Sequence, residues 1–351
     1  MMKVNKEEFL KLFHIGSGSH REQKMIEYVE SVLTKNTIAY HKDVNGNIFY
    51  FGYKGQPFVS AHMDTVQSEN DEKVAKLIKI YDDNIIRGYG VIGGDDKCGV
   101  YICLELIKKY KGKLNFSFSV EEEVGGAKGA SVIASRNVLE LKEAAYGLIF
   151  DRRGNSDIIC YKNDYGSKLF DEALEEVGKD FGYKSERGLS SDADKFKTYV
   201  SCANIASGYY SPHTSSEYVI ISDVENALNY GDKIIEKLGN KRFAPCEKKA
   251  VTTYYGRGYN RSVYGYDYYD DDYYGGLGGF NNNDTKKKKK IKIEDPVFIE
   301  EEKDDDTTLI TNCDLCNKYT KTVMLIDSNL CVCEKCMGHL LDDMKSLMFG
   351  V

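Results

Sequence analysis

Five separated stretches of this 351-residue chain carry side chains that bind cations: His62 with Asp64, Asp95 with Asp96, Glu122 with Glu123, Asp151, and His213. The second lies in Val91-Ile-Gly-Gly-Asp95-Asp96-Lys97-Cys98-Gly99-Val100, where two aspartates follow a glycine pair and open an apolar helical run. A carboxylate can bridge two metal ions, because each of its oxygens can take one cation. A neutral imidazole suits zinc. An aspartate two residues beyond His62 is placed to accept the other ring N–H and fix the tautomer. Each stretch alone has a plainer reading: a hydrogen-bonded core histidine, a surface Asp-Asp-Lys, or a solvated acidic turn at Glu121-Glu122-Glu123. Three successive acids repel one another, however, and an adjacent cation removes that cost. Together the five stretches read as the ligands of a two-metal hydrolytic site, where a water is acidified and a carbonyl polarised.

Such ligands must be held at the ends of elements. Phe58–Ala61 is an apolar strand that ends at His62, Leu114–Val120 alternates as a strand into the three glutamates, and Ala145–Phe150 is an apolar strand closed by Asp151. Strand alternation turns Glu121 away from a site that Glu122 and Glu123 would face. Open α/β sheets place their sites at such carboxyl ends. Helices are expected at Lys6–Leu12, after a capping-box spacing at Ser19–Glu22, from Cys98 to Tyr110, around Leu169–Val177, and from a second capping box at Ser222–Glu225 to about Leu238. A turn at Asp43–Asn47 separates strands Ile38–His41 and Ile48–Tyr53, and Tyr199–Ala206 is a further strand. Strands alternating with helices predict an α/β fold with helices on both faces of the sheet.

The apolar fraction of 42% is enough for a sizeable core, and a net charge of −7 argues against a general nucleic-acid binder. The first residues lack a signal-peptide pattern and no stretch is long and apolar enough to span a bilayer, so the expected location is cytoplasmic, with no membrane contact. The composition changes after Cys246. Residues 247–308 run through Tyr, Gly and Asp, a lysine block at Lys286–Lys290 and an acidic block at Glu300–Asp306, and read as a flexible linker. Residues 309–351 carry Cys313-Asp-Leu-Cys316 and Cys333-Glu-Lys-Cys336 around a β-rich spacer at Thr322–Ile326. Two C-x2-C units at this spacing predict a small zinc ribbon in which one structural Zn2+ folds a segment too short for its own core. Cys331 and His339 compete as ligands. A nucleic acid or a protein is left open as the ribbon's partner. Residues 1–246 remain as the catalytic unit.

The order His-x-Asp, Asp-Asp-Lys, Glu-Glu-Val-Gly-Gly, Asp, His-Thr-x-x-Glu resembles the co-catalytic zinc exopeptidases, the superfamily of peptidase T, the carboxypeptidase G type enzymes and the bacterial leucyl aminopeptidases. Ala61-His62-Met63-Asp64-Thr65-Val66, Gly94-Asp95-Asp96-Lys97 and Glu122-Glu123-Val124-Gly125 are worded most like peptidase T. The resemblance runs from about Ser17 to Leu238. It implies a mixed central sheet flanked by helices, two catalytic Zn2+ and a short peptide substrate. It also implies roles: Asp95 as the bridging ligand, His62 and Asp151 on one metal, Glu123 and His213 on the other, Glu122 as general base, Asp64 orienting His62, and Asp96 not a ligand. An aminopeptidase is the expected activity; an amide deacylase, a carboxypeptidase, or an inactive binding protein acting through its ribbon are the alternatives. Asp151 to His213 is too short for the lid domain that many relatives insert there, so an open cleft and no lid-mediated dimer are expected. Arg152-Arg153 departs from the family's usual continuation, and reads either as a carboxylate-binding pair or as a surface pair in a turn.

Overall fold

The structure is a computed structural model that describes residues 1–111, 113–246, 308–312, 319–325 and 330–333. The chain divides into two units, Met1–Gly258 and Tyr259–Val351. In the first, helices α1 (Lys6–Phe13) and α2 (Gln23–Lys35) precede the hairpin of β1 (His41–Lys42) and β2 (Ile48–Tyr50). Then come β3 (Phe58–His62), α3 (Glu69–Val74), the hairpin β4 (Lys79–Tyr81) and β5 (Ile85–Arg87), α4 (Gly94–Lys109) and β6 (Asn115–Ser119). Helices α5 (Lys128–Arg136) and α6 (Val138–Glu143) lead into β7 (Gly147–Arg152) and β8 (Asp157–Ile159). The unit continues through α7 (Lys168–Gly178), β9 (Lys184–Glu186), α8 (Ala193–Phe196), β10 (Cys202–Ala206), β11 (Tyr209–Tyr210) and β12 (Tyr218–Ile220) to α9 (Ile221–Leu238).

Eight strands form a mixed sheet in the order β1-β2-β6-β3-β7-β10-β8-β9. Its centre, β6-β3-β7-β10, is parallel, so these strands deliver their C-terminal ends to one edge. Side-chain alternation splits each central strand between two cores. Leu148 and Phe150 of β7 join α1, α2, α4 and α9 on one face, while Ile149 joins Phe58, α5 and α8 on the other. This two-faced burial is why the central strands are buried along their length. A second, four-stranded sheet, β11-β12-β5-β4, stands beside the first.

Several local expectations change. The polar positions of β6 are inside: Asn115, Ser117 and Ser119 are buried, and Ser117 pairs with Ser60 at 2.9 Å. No strand forms at Ile38–Tyr40, because the Ile38 N–H closes the end of α2 on Leu33 O at 3.0 Å and only His41 and Lys42 reach β2. Neither capping box forms. Helix α2 starts after Glu22 with no side-chain cap, and Ser19 donates instead to Asp64. Helix α9 starts at Ile221, and its first N–H groups at Ile221 and Ser222 are satisfied by Asn84 from the β4–β5 turn, at 2.8 and 2.9 Å.

In the second unit, β13 (Thr308–Asn312), β14 (Tyr319–Leu325) and β15 (Leu330–Cys333) form an antiparallel sheet, with Thr322 opposite Cys333. The expected linker lies outside the described residues except for its last, Thr308, which opens β13; Cys313, Cys316, Cys336 and His339 and the side chains of Cys331 and Cys333 also lie outside them. Among the described residues no helix is long and apolar enough to cross a membrane.

Candidate active site

Three adjacent parallel strands bring the first ligands together. His62 ends β3 opposite Ser119, so the chain leaving β6 reaches Glu122 and Glu123 beside it. On the other side Ser60 pairs with Ile149, and two residues further along each strand stand His62 and Asp151. Asp95 enters from the start of α4, where Gly93 sits at φ 73° and Asp95 and Asp96 keep non-helical backbone across a cis peptide bond. His213 comes from the loop between β11 and β12.

The geometry centres on Asp95. Its Oδ1 lies 3.1 Å from His62 Nε2, and its Oδ2 lies 3.4 Å from His213 Nε2. His62 Nε2 is also 3.6 Å from Asp151 Oδ1, and His213 Nε2 is 2.9 Å from Glu123 Oε1. Two imidazole–carboxylate pairs therefore share one aspartate, with one of its oxygens turned to each. Ligand-type atoms of His62, Asp95 and Glu123 gather within 4.8 Å of one another, as do those of His62, Asp96 and Asp151. Asp96 has other work: its oxygens accept the backbone N–H groups of His62 at 3.3 Å and Gly99 at 3.0 Å. Glu121 does face away, but not through strand alternation. It lies beyond β6 at φ 55° and pairs with His20 at 3.1 Å and Lys128 at 3.5 Å.

Protonation is contested throughout this cluster. Burial pushes the Glu122 carboxyl up to about 9 against the pull of His62, with Asp151, Asp192 and Glu123 adding repulsion. Burial also raises Asp151, to about 7. Asp95 goes the other way: burial opposes its ionisation, but hydrogen bonds from His213 and His62 hold it well below the usual range. The same contacts with Asp95 and Glu123 lift His213 to about 10. Burial disfavours a charged His62, yet Asp151, Asp64 and Asp95 hold it well above its ordinary value. Protons are thus drawn to the positions where divalent cations would relieve the same crowding of carboxylates. The donors are carboxylate oxygens and imidazole nitrogens, a set that suits zinc and its neighbours. The residues fit a metal site.

Supporting residues hold this cluster, and sequence reasoning named few of them. His62 Nδ1 lies 2.9 Å from the backbone carbonyl of Asp64 and 3.5 Å from its carboxylate. That carboxylate also accepts the N–H groups of Glu122 at 2.9 Å and Glu123 at 3.1 Å, and the Ser19 hydroxyl at 2.8 Å. Asp64 therefore fixes the glutamate turn as well as standing by the imidazole. Buried Glu217 accepts three backbone N–H groups, from Ile92 at 2.9 Å, Gly93 at 2.8 Å and Asp95 at 3.2 Å, and so anchors the aspartate loop. The only signal for it was its place four residues after His213. Asn204 clasps Asp151 at both backbone groups, at 3.0 and 2.7 Å, and the Tyr209 hydroxyl donates to its Oδ1 at 3.4 Å. No local pattern marks either residue. The carboxyl groups of Asp95, Glu122, Glu123 and Asp151 open into a cleft of about 300 Å³.

Residues 58–237 match the model of peptidase family M20/M25/M40, a span that contains His62, Asp95, Glu122, Glu123, Asp151 and His213. The aminopeptidase PepT of Bacillus cereus ATCC 10987 superposes with a TM-score of 0.54 at 16% identity, over 66% of this chain and 97% of that one. An aminopeptidase from the archaeon Desulfurococcus kamchatkensis gives 0.53 at 17% identity, over 66% and 95%. The TET1 peptidase of Pyrococcus horikoshii gives 0.50 at 16%, over 65% and 98%. No curated protein sequence matches significantly. Likenesses at these identities establish the fold. With a matched segment that covers more than half of the chain and carries every acid and imidazole of the cluster, the chain belongs to peptidase family M20/M25/M40 and is a metal-dependent peptide hydrolase.

Proposed function

We propose that residues 1–246 form a two-zinc aminopeptidase for short peptides, without a lid domain and with an open cleft. The observation that carries this reading is Asp95, with one oxygen directed at His62 and the other at His213. In this reading His62, Asp95 and Asp151 would hold one cation, and Asp95, Glu123 and His213 would hold the other. Bound there, the cations supply Lewis acidity toward a water and the scissile carbonyl. An Nδ1–H donated to the Asp64 carbonyl leaves the Nε2 lone pair of His62 free as a ligand.

Glu122 is the general base. Its carboxylate takes a proton from the attacking water as the water oxygen bonds to the carbonyl carbon. The same carboxyl then delivers the proton to the departing amine as the C–N bond breaks. Asp64 keeps Glu122 and Glu123 in fixed places through their backbone N–H groups, so that base and ligand do not exchange roles. The Bacillus and Desulfurococcus neighbours are aminopeptidases, which supports the aminopeptidase assignment.

Three substitutions test the reading. Glu122→Gln keeps shape but removes the base, so it should retain both core metals and lose roughly 10²–10⁴-fold in turnover. Glu123→Gln should weaken one metal site. Glu121→Gln should change neither metal content nor rate. If Glu121→Gln is the metal-replete, inactive variant, the role belongs one residue earlier; if all three stay active, the two-metal hydrolase reading fails. Mass analysis of a cleaved tripeptide assigns the end attacked, and release of the C-terminal residue first would overturn the aminopeptidase assignment.

A further inference from the structure

Strand β7 runs out of Asp151 into two arginines, and the fold gives them different surroundings. Arg152 directs Nε and one terminal nitrogen at Asp157 Oδ2, at 3.1 and 2.9 Å. Both arginines line the cleft with Glu122, Asp151 and His213, but Arg153 is exposed and makes no hydrogen bond or ion pair with any other described residue. The backbone that carries it is braced on both sides. The Arg152 carbonyl accepts the Ser207 N–H at 2.9 Å, and Gly154 donates to Tyr209 O and accepts from the Gly208 N–H, both at 2.8 Å. Gly154 turns the chain at φ 86°, a conformation that glycine adopts at little cost. The guanidinium is therefore presented into the cleft from a fixed base.

We propose that Arg153 binds the free α-carboxylate of a short peptide, and so sets both the length of the substrate and its need for an unblocked C-terminus. A planar guanidinium makes paired hydrogen bonds to a carboxylate. The carboxylates that share the cleft with Arg153 serve the metals or the base in the proposed reaction, which leaves Arg153 for an anion that arrives with the ligand. Reach decides which one. Arg153 is two residues past Asp151, so their α-carbons are at most about 7 Å apart. Each extended peptide residue spans roughly 3.3–3.6 Å, so an arginine this close to Asp151 serves a carboxylate only a few residues beyond the scissile carbonyl. That is the C-terminus of a short peptide; in long peptides it lies past the arginine. Exposed Leu189 and half-buried Pro212 line the same cleft and offer apolar contact to side chains of so short a ligand.

The inference rests on reading the cleft as a peptidase site, and its test separates the two. The metal-loaded full chain is assayed on Leu-Gly-Gly as the free acid and as the C-terminal amide. Charge-assisted hydrogen bonds predict a roughly 10–100-fold preference in kcat/KM for the free acid, expressed mainly in KM. Arg153→Met should collapse that ratio toward one, and Arg153→Lys should restore part of it. In parallel, equilibrium binding is measured for the same two peptides with the first peptide bond reduced, so that neither can be cleaved. The subsite is overturned if wild type binds and cleaves acid and amide alike, or if the ratio survives in Arg153→Met. Should wild type cleave neither peptide yet bind the free acid more tightly through Arg153, the peptidase reading falls and the subsite stands.

Discussion

A single aspartate between two imidazoles gives the site its two halves, and the residues that hold this aspartate decide how well it serves. Glu217 is the chief of them. Its Oε2 takes two loop N–H groups and its Oε1 takes that of Asp95, while burial raises its carboxyl to about 7. Glu217→Gln would turn an amide NH2 against one set of these donors. Outer partners of metal ligands typically contribute 10–100-fold in metal affinity. We therefore expect Glu217→Gln to fold normally by circular dichroism and to bind core zinc roughly 10–100-fold more weakly by competitive chelation. Unchanged affinity would reduce Glu217 to a loop fastener with no bearing on the site. Sequence order singled out the proposed ligands, and all but His213, which lies in a loop, follow a recognisable strand or open a helix. It gave Glu217 a place four residues after His213 but no role, because three backbone donors from a segment 122 to 125 residues earlier leave no local pattern.

At the scale of elements, the largest revisions concern how helices begin. Ser222-Asp223-Val224-Glu225 has the spacing of a capping box, yet α9 takes its cap from Asn84 across the β4–β5 turn. The reason is that β12 runs directly into α9, so Ser222 is already inside the first turn. Asn84 accepts from the Ser222 N–H through its side chain and donates to the Ser222 hydroxyl at 3.1 Å. Loss of such a cap costs about 1 kcal/mol. Urea unfolding should show Asn84→Ala destabilising by about that amount and Ser222→Ala falling within about 0.5 kcal/mol of wild type. The reverse ranking would return the cap to Ser222. Ser19 shows the same principle with a functional outcome: freed from α2, its hydroxyl reaches Asp64 and so supports the turn that carries Glu122 and Glu123.

At the scale of the molecule, the catalytic unit is expected to work alone. Phe243 packs on Tyr146 and Phe170, and the Ser201 hydroxyl holds Ala244 O at 2.6 Å, so a chain cut after Cys246 keeps its last core contacts. Elemental analysis should find three zinc ions in the full chain and two in residues 1–246, with peptidase activity retained. If the shortened chain loses all metal, the division into two independent ligand sets is wrong. If it is folded and metal-loaded but inactive, the C-terminal region belongs to the active site.

The sequence by itself determined the α/β architecture and marked the acids and imidazoles that gather at one edge of the sheet. Apolar strands ending in His62 and Asp151, and an acidic turn after Ser119, are local patterns that the eight-stranded sheet uses directly. Tertiary structure alone decided how the ligands pair, because the order β6-β3-β7 and the entry of α4 set which oxygen of Asp95 meets which histidine. It also decided between two adjacent arginines of identical chemistry. Both line the cleft, but Arg152 is held by Asp157, a partner five residues ahead, whereas Arg153 makes no hydrogen bond or ion pair with any other described residue. Local patterns record which groups a chain brings to a site, whereas the division of labour among them depends on distances that exist only once the sheet has formed.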